Sequence, residues 1–139
     1  MGTALTESVK LNEIFANAVE SPETNYEWIE LYNTSEWAFD INGWKIKDAA
    51  DHEFVIDSSN VAGGSTLLGA GQWALIYHYG EGSFSLNNGA EVVILSDTNV
   101  EIDSFSYASA VSDKSWGRIP DGTGSWFNNL TPTPGGSND

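Results

Sequence analysis

NYEWIELYNTSEWAFDINGWKIKDA, residues 25–49, decides between helix and sheet. Its apolar side chains recur with a period of two rather than three to four, and Asn, Ser and Gly interrupt the runs. In YEWIELYN, a strand places Glu27, Ile29, Leu31 and Asn33 on one face and Tyr26, Trp28, Glu30 and Tyr32 on the other. Neither face is cleanly polar. The Ile29 and Leu31 side is expected to be buried, with Glu30 set among rings on the second face. The same alternation puts Leu11, Glu13 and Phe15 together on an earlier strand, which draws Glu13 partly inside.

Outward from this stretch, runs rich in Val, Ile, Phe, Tyr, Trp and Thr predict strands at 9–16, 26–33, 44–48, 53–56, 72–77, 91–96, 101–107 and 115–119. The pattern is all-β, and this number of strands suits a single-domain β-sandwich with Greek-key links. SDTNVEID, residues 96–103, reads as a hairpin connection in which Asp97 and Asn99 tolerate left-handed backbone. Residues 60–72 read as a long Gly-rich connection. The domain is expected over 9–130, after a flexible lead of residues 1–8. Residues 131–139, with two X-Pro pairs, are expected to run along the body or fray as a tail or linker.

Twenty acidic against five basic residues give a formal charge of −15 over 139 residues. Such a surface repels nucleic acid and anionic lipid, both of which bind by neutralising phosphates. No apolar run approaches the length of a membrane helix, so membrane insertion is not expected, and the isolated chain is expected to be a monomer. With no cysteine there is neither a disulfide framework nor a thiolate metal site or nucleophile.

A carboxylate drawn inside needs a partner. Of the five basic residues, Arg118 in SWGRIPDG is the expected partner of Glu13 or Glu30, because a guanidinium can hold a carboxylate at two points. Glu13, Glu27 and Glu30 could alternatively serve as a glycosidase-type acid and base, which requires two carboxylates facing across a cleft. His52 and His78 lie in no hydrolase motif. Asp48, Asp51 and Glu53 in one acidic turn, and Asp97 and Asn99 with Glu101 and Asp103 in another, are the oxygen ligands available to calcium, without the spacing of an EF-hand; Glu101 and Asp103 share a strand face that could equally be solvent-facing. Most of the six tryptophans belong in the core. Glu36-Trp37 and Trp126-Phe127 lie in loop-like contexts and are the candidates for an exposed contact surface.

LNEI (11–14), EWIELYN (27–33), DINGWKIKD (40–48), SWGRIPDGTG (115–124) and TPTPG (131–135), in this order, resemble the lamin tail domain family in its prokaryotic branch. The resemblance implies an immunoglobulin-like β-sandwich. It marks Asn12, Glu13, Glu27, Glu30, Asn33, Arg118 and Asp121, beside Gly43-Trp44, as the family's recurrent polar framework. The family's members are not enzymes through this domain. In animal lamins the similar domain follows a coiled-coil rod and contacts protein and chromatin, whereas in bacteria and archaea it is common in exported proteins. The implied function is a non-enzymatic interaction or tethering module of an exported or cell-surface protein that needs no cofactor and binds a protein partner through loops. The alternative is a calcium-dependent adhesion or carbohydrate-binding module.

Overall fold

β1 (Val9–Phe15) and β2 (Trp28–Asn33) pair antiparallel and form the middle of a five-stranded sheet. The computed structural model describes residues 6–18, 27–77, 86–98 and 100–138. Tyr26, His78 and Asn99 lie outside the described residues, as do residues 1–5 of the expected lead. Thr6–Ser8 form a 3-10 turn ahead of β1. β3 (Phe39–Asp40), β4 (Lys45–Lys47), β5 (Glu53–Val55), β6 (Leu67–Leu68), β7 (Trp73–Tyr77), β8 (Glu91–Ser96), β9 (Glu101–Tyr107), β10 (Ser115–Ile119) and β11 (Ser125–Leu130) follow. One sheet has the order β11-β10-β1-β2-β7, the second the order β5-β4-β8-β9, and β3 and β6 make a two-stranded ribbon. Every pairing is antiparallel.

Parity explains the layers. Ile29 and Leu31 of β2, Ala74 and Ile76 of β7, Ile46 of β4, Phe54 of β5, and Val93 and Leu95 of β8 join one buried cluster between the two larger sheets. Burying each of the Val, Leu, Ile and Phe side chains among these contributes about 1.5–3 kcal/mol. Trp44 enters this core from the turn at Asn42-Gly43, where Gly43 takes φ +84°, a conformation that a Cβ disfavours. The result is the all-β sandwich that the alternation predicts, of the immunoglobulin-like kind that the family resemblance implies.

Four elements depart from the sequence expectation. β3 and β6 are two-residue strands, too short for a period to show, and β6 lies inside the stretch expected to be a Gly-rich connection. β11 covers residues expected to be loop. Leu11, Glu13 and Phe15 do not share a face, because β1 carries a bulge between Leu11 and Glu13. Leu11 sits opposite Leu31, while Glu13 sits opposite Glu30, so the extra residue at Asn12 turns the rest of the strand over. Leu11 and Ile14 therefore join the main core, and Phe15 joins Trp28 and Ala18 in a separate buried cluster.

Candidate functional site

Among the described residues four glutamates are buried: Glu13 at 0%, Glu27 at 1%, Glu30 at 0% and Glu91 at 2% exposure. They meet mainly backbone N–H groups of segments outside the strands. Glu27 accepts the Leu86 N–H at 2.9 Å. Glu91 accepts from the N–H groups of Ala49 at 2.8 Å, Asn87 at 2.8 Å and Val92 at 3.0 Å, tying the β4–β5 turn and the approach to β8 together. Glu13 accepts the Ser115 hydroxyl at 2.6 Å, the Thr133 N–H at 3.0 Å and the Thr133 hydroxyl at 2.9 Å. Glu30 accepts the Gly135 N–H at 2.6 Å and the Asn12 carboxamide at 3.2 Å. Where a carboxylate is ionised, bonds of this type are charge-assisted and solvate it with fixed dipoles in place of a cation.

Burial raises the pKa of Glu13, against the bonds from Ser115 and Thr133. Burial likewise pushes Glu30 up to about 8; the Gly135 and Asn12 bonds oppose this, and the charges of Glu13 and Asp121 add to it. Asn12 holds this cluster together. Its Nδ2 also donates to Asp121 at 2.9 Å, and its Oδ1 accepts the Gly122 N–H at 2.7 Å.

Arg118 pairs with neither Glu13 nor Glu30. Its partner is Asp103 on β9, at 3.2 Å. Trp116 and Arg118 share the core-facing parity of β10, while Glu13 lies opposite Gly117 on the other face of the sheet, out of reach of the guanidinium. Arg118 Nε donates to the Leu11 carbonyl at 2.9 Å and Asp103 accepts the Leu11 N–H at 2.8 Å, so one ion pair satisfies both backbone groups of the residue beside the bulge. Arg118 also donates to the Gly124 carbonyl at 3.1 Å and lies 4.8 Å from the centre of the Trp126 ring.

Trp126 is therefore not an exposed loop residue. It projects from β11 onto Phe105, with ring centres 4.0 Å apart, and packs against the core. Phe127 takes the opposite parity and is 48% exposed. Trp37 is 57% exposed beside exposed Glu36. The turn that carries it is held by buried Asn33, whose Nδ2 donates to the carbonyls of Trp37 at 2.6 Å, Leu68 at 3.2 Å and Gly69 at 3.2 Å. One carboxamide thus places the Trp37 turn against the strand that presents Leu67, itself 64% exposed. Asp40, opposite Leu67 across the ribbon, is exposed, and the hydroxyl of Thr66 and the N–H of Asn42 lower its pKa.

The acidic turns are organised from within. Asp48 accepts the N–H groups of Ala50 and His52 and meets the His52 ring at 3.0 Å. Lys47 lies 3.5 Å from Asp51 and 3.3 Å from Glu53. Asp97 accepts the Val100 N–H at 2.9 Å and the Thr6 hydroxyl at 2.9 Å. It works in the hairpin through its carboxylate, and its φ is not positive. Among the described residues no three His, Asp or Glu side chains gather into a group that could hold a metal ion.

Alternation carried a signal for Glu91, which the sequence reading passed over, and for Asp103, which it read as a calcium ligand or a solvent-facing residue. Glu91 has the parity of the core residues Val93 and Leu95, and Asp103 has that of Phe105 and Tyr107. Thr133 and Asn138 left no such signal, since contacts of an irregular segment have no period.

No curated protein matches the chain. The family model of the Lamin Tail Domain matches residues 3–109, which reach from the N-terminal turn past β9. That family is an immunoglobulin-like, non-enzymatic one, in keeping with the sandwich described above. The chain belongs to the lamin tail domain family.

Proposed function

We propose that this domain is a non-enzymatic interaction or tethering module of an exported or cell-surface protein, and that it holds a protein partner on the surface carrying Trp37 and Leu67. The observation that carries the proposal is an exposed tryptophan on a turn fixed by a buried carboxamide. A rigid aromatic anchor loses little side-chain entropy on binding, the property that makes tryptophan a frequent hot spot. Glu36 and Asp40 flank it, and with a net charge of −15 the favoured partner presents an apolar anchor rimmed by lysine or arginine. The buried glutamates serve this function as framework. Glu13 and Glu30 lie side by side under residues 131–138, rather than across an open cleft.

The test is an NMR titration of the labelled domain with an amphipathic lysine–leucine peptide and with its glutamate–leucine counterpart. The basic peptide is expected to shift the Trp37 indole and the amides of Glu36 and Leu67, and Trp37→Ala to weaken its binding at least tenfold, about 1.4 kcal/mol. Equal binding of both peptides, or no effect of Trp37→Ala, would contradict the proposal.

A further inference from the structure

Asn42-Gly43, Asn88-Gly89 and Asp121-Gly122 are dipeptides in which the chain can react with itself in water. In each, the glycine nitrogen can attack the side-chain carbonyl carbon of the residue before it and close a succinimide ring, and glycine brings no side chain to hinder the closure. The attacking nitrogen must lose its proton to react. A glycine N–H held in a hydrogen bond is therefore protected, and it reacts only in the fraction of molecules whose bond has opened.

The fold protects two of the three. Gly43 donates to the Ile56 carbonyl at 2.8 Å, in the turn that carries Trp44 into the core. Gly122 is buried and donates to the Asn12 side-chain oxygen at 2.7 Å. Asn88-Gly89 differs. Both residues are exposed in the turn ahead of β8, and nothing lies within 4 Å of where a Cβ on Gly89 would stand. The Gly89 N–H meets no acceptor among the described residues. The oxygen of the same peptide, the Asn88 carbonyl, accepts the Ala110 N–H at 2.7 Å, which draws charge from the peptide and makes the Gly89 N–H more acidic. Next to it, Asn87 donates its N–H to Glu91 at 2.8 Å and its carbonyl accepts the Tyr107 hydroxyl at 2.7 Å. The reactive peptide is thus anchored from one side and open to water on the other.

We propose that Asn88 is a self-modification site of the folded domain, at which the Gly89 nitrogen displaces ammonia from the Asn88 carboxamide and water opens the succinimide that results. The bond from the Gly89 nitrogen to Cγ forms, the Cγ–Nδ2 bond breaks, and the proton from the Gly89 N–H leaves with the amide as ammonia. Hydrolysis at Cγ gives an aspartyl residue. Hydrolysis at the α-carbonyl gives an isoaspartyl residue, which routes the main chain through the side chain. That form lengthens the chain between Asn87 and Glu91, the two residues joined by the Asn87 N–H. Either product adds one negative charge to the −15 of the chain.

The test keeps the folded domain for weeks in neutral buffer, separates the more acidic species by anion exchange and maps its peptides by mass spectrometry. Conversion at position 88 is expected to exceed that at position 42 by at least about tenfold, because only opened molecules react at the protected site. In urea, where neither N–H is held, the two Asn-Gly sites should convert at similar rates. Gly89→Ala is accommodated by the fold, since the backbone φ there is not positive and the space is open, and it should largely abolish conversion at position 88. Conversion at position 42 that equals or exceeds that at position 88 in the folded domain overturns the proposal. So does an absence of conversion at position 88, or undiminished conversion in Gly89→Ala.

Discussion

Arg118 binds the Leu11 carbonyl, the Gly124 carbonyl, the Asp103 carboxylate and the Trp126 face from one guanidinium. Both charges of the pair are largely buried, with side-chain exposures of 16% and 12%. Arg118→Ala leaves Asp103 without its counter-charge, and a loss of about 3–5 kcal/mol in denaturant unfolding is expected. Arg118→Lys should recover only part of it, since an ammonium cannot reach several fixed acceptors in one plane. That Arg118 is a partly buried, paired residue was legible from its setting between an aromatic and a turn. Its partner was not, because the partner depends on which face of β10 the guanidinium takes. Glu30 gives the second prediction at this scale. Its folded-state pKa lies above its unfolded value, so between the ordinary glutamate range and about 8 the folded state binds more protons than the unfolded one. Stability contributed by that proton is present at low pH and lost as pH rises through about 8. The melting temperature should accordingly fall between about pH 6 and pH 9, and Glu30→Gln should flatten the slope.

Among the elements, β11 separates two neighbouring aromatics by parity. Trp126→Ala removes the stack on Phe105 and the face under Arg118, and should cost about 2–4 kcal/mol. Phe127→Ala should stay within about 0.5 kcal/mol, as expected of an exposed position. Equal effects in chemical unfolding would mean that β11 is turned over. The turn after β2 gives a sharper test. Asn33→Asp keeps the shape but replaces a donor by an acceptor facing three carbonyls, and a loss of about 2–3 kcal/mol is expected. Alternation made the long strands legible and gave the core side of β2. It failed at β1, where a single bulge inverts the parity of everything beyond Asn12, and nothing in LNEIF announces that bulge. β3 and β6 escaped because two residues cannot display a period.

At the scale of the whole molecule, four buried glutamates draw irregular segments onto the sandwich by their N–H groups: residue 49 and residues 86–87 on one side, and residues 133 and 135 on the other. The chain carries a net charge of −15, so added salt should raise the melting temperature by screening mutual repulsion, with most of the gain below about 0.2 M. Composition gave the charge and its consequence for partners. The anchoring of loops by buried carboxylates was beyond it, because all but the Asn87 contact join residues 42 to 120 positions apart. Native-state hydrogen exchange at about pH 6 measures that anchoring directly. The amides of Ala49, Leu86, Asn87, Thr133 and Gly135 lie outside the strands, yet each is expected to exchange at least a hundredfold more slowly than an open loop amide. Exchange at the rate of an unprotected loop would show that the buried glutamates do not hold these segments, and would contradict their assignment as framework.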